Sequence, residues 1–491
     1  LNVENGKFYF YIPEWKYKID SNNELSSGED LSGGTNEKVD ITSVDAEDQS
    51  NVDIRELFSG SDVAYIDAGG VPGHTVPRFE IRRVSRDSVY YAHILNTRQL
   101  NQSTIEQPFL ALYRFLPSNL MHTIHDDVLP VFLTQLQLCD GQIEENQNKR
   151  NQRHRFEPCY GLLIIDSVGS DLPESNKQLY SAVARNSVVI DVGEQGIRNL
   201  EGGDREASSF SVVILFRNLV VGLYSHETRW YDYGFQPPFK YQHSIEHSVA
   251  SWPRVLTPFV EFIRVRIGIE PRVRSKKLVG LGSEERGTSQ RVTPSQVVLV
   301  SRKYNRLIVN EAQLIETVVA TLGVRVAVIS LEFQTLAQII EIVSSESTNG
   351  LIGVHGAGLI LSIFLRAGSF ILELFPYAIN PNHYTPYKAV TQLNGSQLAY
   401  YWWRNWNKSN TVEHPNAERR LGGISHLDPD VQQAILDSEE VPKHQCCEDP
   451  HFLFRIYQDT VVNITEVVHI LNRAIENRRK SKLMKKPSDE L

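Results

Sequence analysis

From Gln296 to Phe375 the chain alternates between two hydrophobic periods, and this alternation limits the fold more than any other feature. VVLVSR (297–302) is a short apolar run of strand type, and NEAQLIETVVATLG (310–323) has helical spacing and a terminal glycine. VRVAVIS (324–330) is a second strand and LEFQTLAQIIEIVSSES (331–347) a second helix. GLIGV (350–354) is a third strand, running through His355-Gly356-Ala357-Gly358 into the apolar helix LILSIFLRAG, and SFILELF (369–375) is a fourth strand. Strands alternating with helices build βαβ units, because parallel strands need a crossover that packs on the sheet. The expected class is α/β with a doubly wound parallel sheet.

The first half is less regular. LALYRF (110–115), YGLLIID (160–166), SVVID (187–191), SVVILF (211–216) and LVVGLY (219–224) are strand-like, and 119–138 has helical spacing. A second α/β domain is expected there. Residues 20–52 are rich in Ser, Asp, Glu and Asn and nearly free of large apolar side chains, a composition of disorder or long loop. The boundaries expected are a partly disordered N-terminal extension over 1–55, one Rossmann-like domain over 56–270, a second over 296–462, and a C-terminal helix and tail over 463–491. Two such domains suit a nucleotide-sugar transferase as well as a binding receptor, and fold alone does not choose.

Composition narrows the partners. A net charge of −9 argues against a nucleic-acid surface, which needs clustered positive charge. No run approaches the roughly 18 apolar residues that read as a membrane span. The chain starts at Leu1, so a signal peptide or membrane anchor ahead of it stays open. Four cysteines (Cys139, Cys159, Cys446, Cys447) are too few for a disulfide scaffold, and sequence does not choose their connectivity. Sequons at Asn101, Asn394, Asn407 and Asn463 matter only in a secretory protein. The last four residues, Ser488-Asp489-Glu490-Leu491, resemble the tetrapeptides that retrieve proteins to the endoplasmic reticulum.

In open parallel sheets ligands bind beyond the carboxyl ends of the strands, and the HGAG loop occupies such an end. Gly356 and Gly358 let backbone approach a ligand, and the following helix start offers N–H groups to a diphosphate. Glu373 ends the next strand, where a carboxylate could accept from the two hydroxyls of a ribose. Arg302 and Arg306 follow the first strand, where guanidinium groups would neutralise a diphosphate leaving group. The bland alternatives are a turn glycine loop, a solvated glutamate and a surface arginine pair. The absent GxGxxG pattern disfavours a dinucleotide oxidoreductase. YYWWRNW (400–406) offers rings for sugar stacking, although aromatic core is the commoner use.

RFLPSNLMHTIHDDVLP (114–130) is the other chemically dense stretch. Pro117 disfavours helix at Leu116, and Ser118 or Asn119 is a natural N-cap. At about 100° per residue Asn119, His122 and Asp126 share one face, with Leu120, Met121, Ile124 and Val128 opposite and His125 and Asp127 flanking. Such a His–Asp face could deprotonate an acceptor hydroxyl. A metal held by HxxHD and a partly buried structural cap are the competing readings.

Together with SRKYNRLIVNE, GVHGAGL, ELFPYAINPNHYTPYK, WRNWNKSNTVEHP, GGISHLD, HQCCEDP and FLFRIYQDT, this stretch resembles the family 61 glycosyltransferases. The likeness is to the endoplasmic-reticulum type that extends protein O-linked mannose with β-1,4-linked N-acetylglucosamine. It runs from about Leu110 to about Val468. The resemblance implies a GT-B fold, two Rossmann-like domains facing a cleft. It also implies inverting, metal-independent transfer from UDP-GlcNAc to an O-mannosylated glycoprotein of α-dystroglycan type, with no cofactor. The nucleotide would sit on the C-terminal domain at Arg302, Arg306, His355, Gly356, Ala357, Gly358, Glu373 and Phe375. The acceptor would meet Arg114, Asn119 and His125, with Asp126 or His122 taking the proton. Vertebrate-type enzymes carry a C-terminal fibronectin type III module, whereas here about twenty residues follow the last match and end in SDEL. That departure raises the EGF-domain-specific O-GlcNAc transferase as an alternative. A non-catalytic nucleotide-sugar-binding protein is the other.

Overall fold

The structure is a computed structural model. It describes residues 2–4, 7–13, 63–67, 78–84, 104–114, 116–139, 156–164, 172–187, 189–191, 215–216, 218–223, 228, 230–231, 252–269, 295–443 and 449–484. The polar segment 20–52, Asn101, Cys446, Cys447 and the SDEL tetrapeptide lie outside them.

Two compact units emerge, and their limits differ from the boundaries that composition suggests. One comprises Leu1–Pro117, Asp126–Leu172 and Val183–Ser225; the other comprises Ser118–His125, Pro173–Ala182 and His226–Leu491. In the first unit, β1 (Asn2–Glu4), β2 (Lys7–Pro13), β3 (Val63–Asp67) and β4 (Arg78–Val84) form one sheet of order β1-β2-β4-β3. The N-terminal segment is therefore no simple extension, because β2 pairs with β4. The pair β5 (Thr104–Ile105) and β9 (Leu215–Phe216) is short. The main layer is a parallel sheet of order β10-β6-β7-β8, built from β6 (Phe109–Leu112), β7 (Gly161–Ile164), β8 (Val189–Asp191) and β10 (Leu219–Val221). Every side chain of β6 and β7 is buried, the pattern of parallel strands covered on both faces. Cys139 and Cys159 form a disulfide there. Buried Gln135 ties the same region, donating to the Val183 and Tyr160 carbonyls and accepting from the Tyr160 amide.

The second unit holds the pattern that opened the sequence reading. β11 (Gln296–Val300), β12 (Arg325–Ile329), β13 (Thr348–Val354), β14 (Phe370–Phe375) and β15 (Ala399–Arg404) form one parallel sheet of order β12-β11-β13-β14-β15. Val297 and Leu299 of β11 join the same core as Leu314 and Val318 of helix Glu311–Leu322. Helix Leu336–Val343 starts later than spacing suggested, because Thr335 and Gln338 close a capping box. The run after HGAG is a 3-10 helix, Ala357–Phe364, rather than an α-helix. The C-terminal helix Ile464–Met484 places Val467, Val468, Leu471, Ala474 and Ile475 in the sheet's core, so it belongs to this unit and is no appendage.

Residues 252–269 also join the second unit, against the expected end of the first domain at 270. The Trp252 amide donates to the Asn394 carbonyl, and Arg264 hydrogen-bonds Ser344. A short antiparallel pair, β16 (Thr411–Val412) and β17 (Asp459–Thr460), closes the unit.

Candidate functional site

The sheet order alone marks where a ligand binds. In an order of the type 2-1-3-4-5, the crevice lies where neighbouring connections leave in opposite directions, between the first and third strands. Here those are β11 and β13, whose carboxyl ends carry Ser301-Arg302 and His355-Gly356.

Arg302 and Arg306 converge on Gly356. A methyl group built at Gly356 would lie 2.5 Å from Arg306 NH1 and 3.1 Å from Arg302 NH1, so backbone and guanidinium groups meet with no room for a side chain. Gly356 sits at φ +155°, a conformation that side chains other than hydrogen resist. Arg302 is anchored by its own loop, donating from Nε to the Asn305 carbonyl at 3.0 Å and from NH2 to Asn305 Oδ1 at 2.9 Å. Arg306 donates to the His355 carbonyl at 3.0 Å and lies 4.4 Å above the Tyr457 ring. Burial, and then the neighbouring Arg306 charge, lower the Arg302 guanidinium from its ordinary range to about 10. The two guanidinium groups thus stand side by side at the switch point.

The loop is braced from behind. Tyr387 donates to the Gly356 carbonyl at 2.7 Å, and burial, then Glu373, hold that phenol protonated well above its usual range. Ala357 and Gly358 open the 3-10 helix, so their N–H groups have no helical carbonyl to meet. A methyl group at Gly358 would press Val300 of β11 at 2.9 Å, which explains the second glycine.

Glu373 departs from its expected role. Its side chain has no exposure, and both oxygens are taken: Oε1 lies 2.5 Å from His355 Nδ1, and Oε2 accepts from Tyr400 at 2.5 Å. It therefore turns inward to the histidine and presents nothing to a ribose. Burial, then Glu373, raise the Tyr400 phenol so that it stays a donor. Phe375, fully buried, stacks on His355 with centroids 5.1 Å apart. Beside this centre a cavity of about 500 Å3 opens along the ends of β11 and β12, lined by Arg302, Lys303, Phe333 and Gln334 among others. Lys303 stands 5.6 Å from the exposed Phe333 ring.

The 114–130 stretch differs from its helical-wheel reading. Asn119 is the N-cap, its Oδ1 accepting from the Met121 amide at 3.0 Å, and Leu120–His122 is α-helical. Leu116 does leave the right-handed region, but to φ +46° rather than to extended backbone. Thr123–Val128 is then a π-helix, followed by α-helix Leu129–Cys139. Pro130 supplies the reason: it has no N–H for the Asp126 carbonyl and its ring crowds that group, so the turn widens. The 100° spacing fails there, and no exposed polar face forms, because His122, His125, Asp126 and Asp127 are all buried with Ile124 and Val128. Arg114 is buried too.

His125 accepts from the Trp230 amide at 3.3 Å and meets the Trp230 ring edge-on at 4.3 Å. The next residue, Tyr231, adds a minor upward influence on the Tyr387 phenol. Leu120–His122 itself packs on the 3-10 helix Ala357–Phe364. Asn119, His122 and His125 thus share the unit of the HGAG loop, and Asp126 belongs to the other unit. No group of three His, Cys, Asp or Glu able to hold a metal occurs among the described residues. Sequence reading missed Tyr387, Tyr400, Trp230 and Phe333. Only the aromatic runs NHYTPYK and YYWW carried a signal for the first two.

A parallel sheet whose switch point pairs two arginines with a glycine loop defines the anion-binding α/β domain that nucleotide-sugar enzymes use. Residues 121–372, just over half of the chain, match the model of the family glycosyltransferase 61. The chain belongs to that family. It is 33% identical over 377 residues to the pufferfish (Takifugu rubripes) protein named protein O-linked-mannose beta-1,4-N-acetylglucosaminyltransferase 2, covering 76% of this chain and 57% of that one. The proteins of the same name from Homo sapiens and Xenopus tropicalis are 34% and 33% identical over 365 and 362 residues, each covering 74% of this chain. Those alignments cover 54% and 53% of the two relatives, so the chain spans little over half their length.

Proposed function

We propose that this protein transfers N-acetylglucosamine from UDP-GlcNAc to O-linked mannose on a glycoprotein, with inversion, in a β-1,4 linkage. The observation that carries the reading is the convergence of Arg302 and Arg306 on Gly356 at the sheet's switch point, in a chain of this family. The acceptor class follows the name of its relatives.

In the proposed step an acceptor oxygen bonds the anomeric carbon as the bond to the β-phosphate oxygen breaks. The electron pair leaves on UDP, and the acceptor proton passes to Asp126 or His122. Negative charge grows on the diphosphate, where the two guanidinium groups stabilise it without a metal ion. The Ala357 and Gly358 amides add donors, and the cavity beside Phe333 and Gln334 receives the nucleoside half. Arg114, Asn119 and His125 shape the acceptor side. A GT-B arrangement of two Rossmann-like domains is the fold this chemistry uses. The Cys139–Cys159 disulfide supports a secretory compartment, and the endoplasmic-reticulum lumen is the proposed one.

The test is purified protein with UDP-GlcNAc and an O-mannosyl peptide, with and without chelator, read by intact mass. A mass gain of one N-acetylhexosamine in both arms is expected. Transfer to an EGF domain alone would redirect the acceptor. UDP binding with no transfer to either would leave a nucleotide-sugar-binding protein.

A further inference from the structure

The sequons at Asn394, Asn407 and Asn463 lie on described residues, and the fold treats them differently. Asn407 is exposed where the chain leaves β15, just ahead of a 3-10 turn at Lys408–Asn410. Its Oδ1 accepts from the Ser409 amide at 3.0 Å and from the Ser409 hydroxyl at 2.8 Å. Its Nδ2 hydrogen-bonds no described residue. The loop is pinned from beneath: the Asn407 amide donates to Oδ1 of buried Asn405 at 3.0 Å, and Asn405 Nδ2 donates to the Thr411 hydroxyl at 3.1 Å.

At the other two positions the hydroxyl does not meet its own asparagine. Near Asn394, the Ser396 hydroxyl accepts from the Leu398 amide instead. That loop is also pressed on a neighbour, since the Asn394 carbonyl takes the Trp252 amide and a methyl group at Gly395 would lie 2.6 Å from Pro253. Asn463 caps the C-terminal helix, its Oδ1 accepting from the Glu466 amide at 3.3 Å, and Thr465 is locked in the first turn of that helix.

We propose that Asn407 is a site of N-linked glycosylation. This rests on the secretory compartment proposed above. An amide nitrogen is a weak nucleophile because its lone pair is shared with the carbonyl. Two hydrogen bonds donated to Oδ1 polarise that carbonyl and make the Nδ2 protons more acidic. In the modification Nδ2 bonds the anomeric carbon of an oligosaccharide carried on a lipid diphosphate, the co-substrate of that compartment's own transferase. The bond from that carbon to phosphate oxygen breaks, the electron pair leaves on the lipid diphosphate, and Nδ2 gives up one proton. The surroundings suit the product. Trp406, next in the chain, is 67% exposed with Arg404 over its ring at 4.3 Å, so a bulky hydrophilic glycan there stands beside apolar surface. β15 is the edge strand opposite β12, so the cavity along β11 and β12 lies across the sheet from it.

The test is peptide mapping by mass spectrometry, after glycan release by an amidase in heavy-oxygen water, which leaves a labelled aspartate wherever a glycan stood. Two samples are needed: the full chain sent into the secretory pathway of cultured eukaryotic cells by a fused signal peptide, and the protein purified from its own cells. Label at position 407 is expected in both. In the directed chain Asn407→Gln and Ser409→Ala should each lose one glycan by intact mass, and Ser409→Thr should keep it. Wild-type mapping carries the test should any variant fail to fold. An unlabelled position 407 in the directed chain overturns the inference, whatever the other sequons carry. Label at 407 in the directed chain, with every sequon bare in the cells' own protein, overturns the compartment reading instead.

Discussion

The loops at the ends of β11 and β13 and the 114–130 stretch both combine charged residues with histidine, yet the fold treats them in opposite ways. At the ends of β11 and β13 the charged groups are held by backbone: Arg302 by Asn305, Arg306 by the His355 carbonyl, Gly356 by Tyr387. Regular strands deliver them to one edge, where the two guanidinium groups converge on Gly356. In 118–128 the helix widens ahead of Pro130, and His122, His125, Asp126 and Asp127 are buried. One region gathers two guanidinium groups at the switch point of the sheet. The other is a buried polar turn whose chemistry depends on what its groups touch, and π-turns of this kind recur at functional sites.

Four experiments would break or sharpen that contrast. The largest effect is expected from Asp126→Asn. If the buried turn supplies the base, kcat falls roughly 100-fold or more while UDP affinity holds. A lowered melting temperature with unchanged kcat would make the turn purely structural. Gly356→Ala comes next, because its methyl group would collide with Arg306 NH1 and its φ of +155° is strained. UDP binding should weaken about 10-fold or more, given the charged contacts it displaces, with the transfer defect following KM. His125→Ala removes the acceptor for the Trp230 amide and should cost about 1–3 kcal/mol in stability by denaturant titration. Its effect on UDP affinity should be small, and a large one would show that the buried turn is coupled to the HGAG loop.

The smallest effect concerns pH. Burial lowers Arg302 to about 10, so its cation is intact at neutral pH and is lost as pH rises through that value. The share of UDP affinity that Arg302 supplies should therefore stay level up to about 9 and decline above it. The sign for stability is opposite. Between about 10 and the ordinary 12.5 the unfolded chain binds the extra proton, so folding is favoured as pH rises through that window. Weaker UDP binding above 10 without any loss of fold would separate the two.

Much of the sheet and its glycine loop in the second unit was legible in sequence. Period alone located β11, β12, β13 and β14, and the HGAG loop followed from a glycine cluster after a strand. Asn119 was readable as a cap. Glu373 was found but misread, because a carboxylate at a strand end looks solvent-facing until its neighbours are known. Its partners lie 18 and 27 residues away in the chain, and one of them sits on the next strand of the sheet. The wheel for 118–128 assumed uniform turns, and Pro130 was the overlooked sign that they would not be uniform.

The sequence by itself determined the α/β class, the order of strands and helices along the second unit, and the position of the glycine loop. These follow from periodicity and local backbone preference, which act over a few residues. Tertiary structure alone decided the sheet order that puts β11 beside β13, and the pairing of Cys139 with Cys159. It also decided the burial of His122, His125 and Asp126, and the closure of Tyr400 onto Glu373 and of Glu373 onto His355. Each of these depends on which distant groups are brought into contact and sealed from water. A buried carboxylate takes whichever donors the packing presents, and local sequence does not encode them.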